Sequence, residues 1–267
     1  MIIETTPNHA SNRAYLWPCV YHGNGVAKNE KLWNDLLKEE VKTNYKEQHP
    51  KEHDITVFTW SIPEESTILE ECFNRMGIKD SIIVIPISKP FNWLDKIKKL
   101  REYLKYVKTK YVMALDATDI IVSTDNKGQL WKNIVNVFNN MGCEMVWNAE
   151  KNSWPSSTNA STLREKLKQV ERMEDKTYRK YFNSEYCHLN SGAFIGKTNY
   201  VKVFYEKLWT LTEPYYGRGV DEMLFGGDQG FVRLMQLTEF PRMIIDYECR
   251  IFQTLNRVNK NEVWIHE

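Results

Sequence analysis

The stretch YVMALDATDIIV, residues 111–122, is an apolar run interrupted by two carboxylates three positions apart, Asp116 and Asp119. Carboxylates at the carboxyl end of a strand can converge on one hard divalent cation. Such a cation can bridge the phosphates of a nucleotide and neutralise the charge of a departing diphosphate. The alternative is a turn in which each aspartate caps its own backbone. Taken alone, this pattern leaves both interpretations open.

A second pattern lies nearer the amino terminus, in HGNGVAK, residues 22–28. His22 is a frequent type of metal ligand, and Lys28 is a natural cation for phosphate. Gly23 and Gly25 allow backbone N–H groups to face an anion. One imidazole nitrogen beside carboxylate oxygens favours Mn²⁺, with Mg²⁺ as the second choice. The same stretch fits a β-turn with an exposed histidine equally well.

Two further stretches place polar groups next to apolar ones. In HLNSGAFIG, residues 188–196, the Asn-Ser-Gly tripeptide offers amide, hydroxyl and backbone donors, or else simply forms a turn into a strand. In GGDQG, residues 226–230, Asp228 could accept hydrogen bonds from sugar hydroxyls, or could cap a helix that begins near Gln229. No GxSxG, HExxH or P-loop pattern occurs in the chain.

The elements that would position these residues alternate between strand and helix patterns. Strands are predicted at 55–60, 81–87, 110–115, 144–148, 189–195, 243–246 and 250–252, and helices at 29–45, 63–76, 93–107, 130–141, 163–173, 198–211 and within 220–237. This order predicts an α/β, Rossmann-type fold: a mixed, mainly parallel central sheet flanked by helices, with ligands at the carboxyl ends of the strands. Residues 46–54 suggest a surface linker, and residues 156–185 an insertion over one rim.

Composition and charge limit the function classes. The chain has 267 residues, 36 basic and 35 acidic, so its formal net charge of +1 does not favour a nucleic-acid partner. Five scattered cysteines fit reduced thiols, and no signal peptide or membrane-spanning run is recognisable. We therefore expect one cytoplasmic domain over residues 1–267. No GxGxxG follows the strand at 55–60, where SIPEES stands, which argues against a nicotinamide enzyme.

LDATDIIV, WNAEKNSWP, HLNSGAFIG, GGDQG and IDYECRIFQTLN occur in this order, and together they resemble the glycosyltransferase domain of the procollagen lysyl hydroxylases. That family also includes collagen galactosyl- and glucosyltransferases. The resemblance covers residues 54–256, and CRIFQTLN, residues 249–256, is its most specific part. It implies a GT-A fold, in which a nucleotide-binding α/β domain uses a UDP-sugar and Mn²⁺.

The motif order departs from the family at one place. In the family an HGNGxxK motif follows CRIFQ-L-N, whereas here HGNGVAK precedes all the other motifs. We therefore hypothesise a circular permutant, with residues 1–45 as the metal- and diphosphate-binding segment and residues 54–256 as the main body. A chain break can move at little cost when domain termini lie close together on the surface. If the front motif is instead a chance match, His22 should lie beyond about 10 Å from Asp116 and Asp119, well outside a shared metal site.

The resemblance implies a role for each matching residue. The metal ligands would be Asp116, Asp119 and His22. The diphosphate contacts would be Asn24, Gly25 and Lys28. The other contacts to the donor, at the uridine and the sugar, would be Thr59, Trp60, Lys96, Trp154, Asn190, Ser191 and Gly192.

Two carboxylates are the candidates for catalytic roles. Asp228 would steer the sugar or the acceptor, and Glu150 would contact the acceptor. Relatives often carry a run of acids before the glutamine, where this chain has Gly226 and Gly227. The change removes acceptors for sugar hydroxyls, which bears on the sugar preference and on the transfer step.

These expectations combine into a metal-dependent glycosyltransferase that moves a hexose from a UDP-hexose to a carbohydrate or other hydroxyl-bearing acceptor, with retention of configuration. Two alternatives stay open. One is a catalytically weakened UDP-sugar-binding protein. The other is a metal-dependent nucleotidyltransferase, although that class needs a glycine-rich basic loop after the first strand, and SIPEES is not one.

Overall fold

A computed structural model describes residues 19–24, 31–42, 47–62, 67–89, 92–123, 129–158, 163–217 and 227–258, to which the structural statements below refer. Its strands are β1 (Val20–His22), β2 (Ile55–Ser61), β3 (Ile82–Pro86), β4 (Tyr111–Leu115), β5 (Ile120–Val122), β6 (Met145–Glu150), β7 (His188–Lys197), β8 (Met243–Ile245) and β9 (Phe252–Thr254). Its α-helices are α1 (Lys31–Lys42), α2 (Ile68–Arg75), α3 (Trp93–Leu104), α4 (Leu130–Asn140), α5 (Arg164–Glu174), α6 (Thr198–Thr212) and α7 (Asp228–Glu239).

Six strands form the central sheet, in the order β3-β2-β4-β7-β6-β8. The pairs β2–β3, β2–β4 and β6–β8 are parallel, whereas β7 runs antiparallel to both β4 and β6. The predicted α/β class with a mixed, mainly parallel sheet is therefore confirmed. Each predicted strand and helix has a counterpart in the structure, with ends displaced by a few residues.

Side chains of β4 show how the central sheet is buried on both faces. Tyr111, Met113 and Leu115 belong to a core shared with α2 and α4, whereas Val112 and Ala114 belong to one shared with α3, α6 and α7. Successive side chains of a strand point to opposite faces, so a strand covered on both sides is apolar throughout. This explains why the run before the two aspartates is continuously apolar.

A second, three-stranded sheet has the order β5-β1-β9. Its central strand, β1, is antiparallel to β5 and parallel to β9, so that Val20 stands opposite both Val122 and Phe252. The sheet thus joins three segments that are far apart in the chain. It places His22, the last residue of β1, opposite Ile120, the first residue of β5.

The segments predicted as a surface linker and a rim insertion also make buried contacts with the rest of the domain. In the expected linker, Glu47 and Pro50 are buried, and the Glu47 N–H donates to the Met76 carbonyl oxygen at 3.1 Å. In the expected rim insertion, α5 packs on α7 through Leu167 and Val170. Both segments therefore belong to the packed body. No helix in the described ranges is both long and apolar enough to cross a bilayer.

Helix α5 is also tied to α7 by a buried polar network around Glu174. The Glu174 carboxylate accepts a hydrogen bond from Arg233 Nη2 at 2.6 Å and lies 2.8 Å from His188 Nδ1. Gln236 Nε2 donates to the same carboxylate at 2.9 Å. Glu174 and Arg233 are fully buried, so each depends on the other for compensation of its charge.

Charge pairing shifts two pKa values in this network. Burial alone would raise the pKa of Glu174, but Arg233 and His188 outweigh it and hold the pKa at about 2. Burial would likewise lower the pKa of His188, but contacts with Cys187 and Glu174 raise it to about 9. Both groups are therefore charged across the neutral range.

We predict that Glu174→Gln lowers the free energy of unfolding by about 3–5 kcal/mol, because it leaves a buried guanidinium without its carboxylate. The Glu174 contribution is complete above its ordinary pKa of 4.5 and is lost as the pH falls through about 2. The His188 contribution is complete below its ordinary pKa of 6.5 and is lost as the pH rises through about 9.

Denaturant unfolding of wild type and variant at several pH values measures this difference. It should be largest between pH 4.5 and 6.5. Glu165→Gln, an exposed change on the same helix, is the matched control and should shift stability by no more than about 0.5 kcal/mol. A difference that does not vary with pH would contradict the assigned charges.

Candidate active site

A cavity of about 760 Å³ opens where strands of both sheets end. The predicted site residues that line it are His22, Asn24, Asp116, Asp119, Glu150, Trp154, Asn190, Ser191, Gly192 and Asp228. Because they come from separate parts of the chain, their convergence is a property of the fold and not of local sequence.

His22, Asp116 and Asp119 form a potential metal-binding group, with one ligand atom from each lying within 4.8 Å of the others. His22 Nε2 is 3.4 Å from Asp119 Oδ1. Ligands about 2.1 Å from one ion are at most about 4.2 Å apart, so a small side-chain movement would let all three share a cation. The separation predicted for a chance match, beyond about 10 Å, is not observed.

The surroundings of His22 fit a metal ligand. The imidazole is buried, and Nε2 has no hydrogen-bond partner in the described part of the chain. Nδ1 lies 3.1 Å from the side-chain amide of Asn148, which fixes the ring. Metal binding through Nε2 requires the proton on Nδ1. The buried Asn148 Oδ1, also without a partner, would accept that proton after a half-turn of the amide.

Gly192 provides the space that His22 occupies. A Cβ atom on Gly192 would lie 2.2 Å from His22 Cε1, which no side chain can tolerate without displacing the ring. The Gly192 carbonyl accepts a hydrogen bond from the Asp116 N–H at 2.8 Å. The Asn-Ser-Gly tripeptide lies within β7, at a register shift against β6, and not in a turn before the strand. Strand irregularities of this kind are frequent beside active sites.

Lys96 is a buried cation behind the metal-binding group. Its Nζ lies 2.6 Å from Asp116 Oδ1 and 3.5 Å from Asp228 Oδ2. The same Nζ stands over the rings of Trp60 and Trp93, at 4.9 and 5.6 Å from their centroids. Burial would lower the pKa of Lys96, but Asp116 and Asp228 raise it, so the ammonium stays charged. Lys96 therefore links Asp116, a candidate metal ligand, to Asp228, a candidate catalytic residue.

Burial raises the pKa of Asp116 above its ordinary value, and although Lys96 opposes this shift, the negative charge of Asp119 adds to it. Burial would lower the pKa of His22, but Asp119 raises it, helped by Asp116. Each carboxylate therefore gains from a positive charge placed between them. A divalent cation in this group would supply that charge.

Asp228 stands in the first turn of α7, and the preceding Gly227 is the N-cap. Of the two alternatives for Asp228, the helix cap is therefore not observed. Gly227 has φ 62°, and a Cβ atom on it would lie 2.8 Å from Trp93 Cγ. Both the backbone and the Trp93 ring require glycine here, which explains why an acidic residue is absent at this position. Gly226 lies outside the described residues.

Glu150, at the end of β6, is held by three side-chain amides. It accepts hydrogen bonds from Asn24 Nδ2 at 3.1 Å, Asn190 Nδ2 at 3.2 Å and Gln229 Nε2 at 2.9 Å. Burial raises its pKa, although these amide donors lower it. Gln229 Nε2 also donates to the Trp154 carbonyl at 2.5 Å. The amides thus hold the Glu150 carboxylate and the backbone of Trp154, whose indole ring is exposed, at one side of the cavity.

Several predicted residues stand elsewhere. Thr59 and Trp60 are buried and do not line the cavity, and the Thr59 hydroxyl donates to the Leu115 carbonyl at 2.7 Å. Gly25 and Lys28 lie outside the described residues. The roles of these four residues stay predictions.

Sequence reasoning missed several polar and aromatic residues of the site, among them Asn148, Gln229 and Trp93. Asn148 follows the apolar Met-Val-Trp of β6, the same pattern that singled out Asp116, and could have been found from it. Gln229 directly follows Asp228, which the sequence had already indicated as a candidate site residue. Trp93 had no signal, because its position beside the cavity depends on how α3 and α7 pack.

Comparison with known proteins gives a fold similarity only. No protein family and no curated protein matches the sequence. Among solved structures, the chain is similar to the apo form of mouse xyloside xylosyltransferase 1, with 13% sequence identity and a TM-score of 0.39. The similarity covers 82% of this chain and 81% of that one.

We predict that Gly192→Ala displaces the His22 ring and lowers the melting temperature, because the added methyl group would overlap Cε1. The loss should be about 1–3 kcal/mol. In the double variant His22→Ala/Gly192→Ala the overlap disappears. Gly192→Ala should therefore lower the stability of the His22→Ala protein much less than it lowers that of wild type. Thermal unfolding of the four proteins measures the coupling, and equal costs in both backgrounds would contradict this contact.

Proposed function

We propose that this protein is a metal-dependent glycosyltransferase that moves a hexose from a UDP-sugar to a hydroxyl-bearing acceptor, with retention of configuration. The observation that carries the proposal is the convergence of His22, Asp116 and Asp119 in the lining of a cavity large enough for a nucleotide-sugar. The motif resemblance supports UDP as the nucleotide and Mn²⁺ as the cation.

A cation held by His22, Asp116 and Asp119 would offset the charge that develops on the leaving diphosphate. Lys96, ion-paired to Asp116, keeps that carboxylate oriented toward the group. Asn24, which lies beside the metal-binding group, would donate a hydrogen bond to the diphosphate. The resemblance implies diphosphate contacts for Gly25 and Lys28 as well.

The sugar would lie on the side of Asp228 and Trp154. Asp228 offers a carboxylate to sugar hydroxyls, and its position in the first turn of α7 is fixed by Gly227. The Trp154 ring is 42% exposed at the cavity and offers an apolar face to a pyranose ring. Glu150 would contact the acceptor hydroxyl, and the lining residues Asn190, Ser191 and Gly192 would lie beside the donor sugar, as the resemblance implies. The resemblance places uridine near Thr59 and Trp60.

We also propose that the domain is a circular permutant of the family. Support comes from β1, which pairs on one side with β5, directly after the second aspartate, and on the other with β9 of the CRIFQTLN motif. A segment at the front of the sequence therefore completes a site formed by the later motifs. The division into residues 1–45 and 54–256 belongs to this proposal.

We predict that Asp116→Ala and His22→Ala each reduce Mn²⁺-dependent release of UDP from a UDP-sugar by at least about 100-fold, because charge stabilisation of the leaving group is lost. UDP release is measured over a panel of UDP-hexoses, with and without Mn²⁺. Asp175→Ala, a half-exposed aspartate that pairs with Arg179, is the control and should keep full activity.

The same panel separates the alternatives. A weakened binding protein would bind UDP-sugars without turnover, and a nucleotidyltransferase would release pyrophosphate from a nucleoside triphosphate. Unchanged UDP release by either site variant would remove that residue from the metal site.

We predict that a rearranged chain, which starts at residue 47, continues through residue 267 into residue 1 and ends at residue 46, folds and keeps Mn²⁺-dependent activity within about tenfold of wild type. The new order would leave every strand pairing of the two sheets intact. Circular dichroism and UDP release provide the measurements. A rearranged chain that folds but fails to bind Mn²⁺ would refute the permutation.

A further inference from the structure

Arg257 lines the cavity and has no role in the site described so far. It follows Asn256 in the turn after β9, and its side chain is exposed. It makes no hydrogen bond, ion pair or ring contact within the described part of the chain. An arginine in such a position offers a complete guanidinium to a ligand.

The backbone brings Arg257 close to the metal-binding group. Thr254 stands opposite His22 in the parallel pair of β1 and β9, whose strands are about 4.8 Å apart. The Leu255 N–H donates to the His22 carbonyl oxygen at 2.9 Å. Arg257 is therefore only two residues beyond a residue hydrogen-bonded to His22, and its long side chain extends from that side of the cavity.

The charges of the lining residues make this guanidinium unusual. Four carboxylates line the cavity: those of Asp116, Asp119, Glu150 and Asp228. Among the described lining residues, Lys151 and Arg257 are the lysine and arginine side chains, and Lys151 Nζ is paired with Glu185 at 2.9 Å. Of these two basic residues in the described lining, Lys151 is already paired, whereas Arg257 keeps all of its N–H donors available for an anion.

The Arg257 backbone has φ 60°, in the left-handed region that disfavours residues with a Cβ atom. Glycine would take this conformation without strain. Residues held in such conformations cluster at ligand-binding sites. The strained turn therefore gives a way to separate the role of the side chain from that of the backbone.

We propose that Arg257 binds phosphoryl oxygens of the diphosphate of the donor, from the β9 side of the metal-binding group. Its planar N–H donors match two phosphate oxygens at once. Lys96 does not line the cavity and is already paired with Asp116, so Arg257 would supply the protein cation that contacts the diphosphate directly. This inference rests on the proposed use of a nucleoside diphosphate sugar.

The test is calorimetric titration of UDP, UMP and uridine in the presence of Mn²⁺. Arg257→Gln should weaken UDP binding about 10- to 100-fold, since a charge-assisted bidentate contact is lost. UMP binding should weaken less, and uridine binding should change less than twofold. Arg257→Lys should fall between wild type and Arg257→Gln. Arg250→Gln, seven residues earlier and paired with Glu248, is the matched control and should bind UDP as wild type does.

Arg257→Gly distinguishes a ligand contact from a structural role. It removes the guanidinium and also relieves the positive φ, so it should weaken UDP binding as much as Arg257→Gln while leaving the melting temperature equal to or above that of wild type. Equal weakening of UDP and uridine, with a lower melting temperature, would indicate a structural role and overturn the inference.

The remaining outcomes separate this inference from the proposed function. If wild-type protein with Mn²⁺ binds no UDP, both fail. If wild type binds UDP and the affinity of Arg257→Gln for UDP is within twofold of the wild-type value, only the role of Arg257 fails. If UDP binding is unchanged but the KM of an acceptor rises, the guanidinium serves an anionic acceptor, and its assignment to the diphosphate is overturned.

Discussion

The pairing of β1 between β5 and β9 is the interaction on which the candidate site depends. It holds His22 beside Asp119 and, through the Leu255 N–H, ties the turn that carries Arg257 to the same point. A three-residue strand has little stability of its own. Its position therefore relies on the buried packing of Val20 and Tyr21 and on the glycine at 192, which leaves room for the imidazole.

The second constraint is the concentration of buried carboxylates. Lys96 compensates Asp116 and Asp228 on one side, and three amides satisfy Glu150 on the other. His22, Asp116 and Asp119 meet on the cavity side of these contacts, with His22 Nε2 3.4 Å from Asp119 Oδ1. Buried charges need pairing or a coordinated metal. These three side chains could hold a cation, which is the chemistry expected of their residue types.

Periodicity and motifs predicted much of the fold and the chemical identity of the metal-binding group, because these depend on local patterns. The run of β4 is apolar because both of its faces are covered, and the two aspartates stand where it ends. Contacts between distant segments could not be read in the same way. Burial of Glu47, the Lys96–Asp116 pair and the clash that requires Gly227 all depend on packing. His22 was associated with the aspartates through motif resemblance, since nothing in its local sequence indicates that β1 enters a second sheet.

Helix α7 connects the cavity to the network that stabilises the fold. Its first turn presents Asp228 and Gln229 to the cavity, whereas Arg233, farther along, pairs with Glu174. One face of the helix holds a short loop, since Gln229 and Arg233, four residues apart, donate to the carbonyls of Trp154 and Pro155. The loop that carries the indole ring is thus fixed by two hydrogen bonds from one helix. Arg233 thus links the buried Glu174 network directly to the loop that carries Trp154.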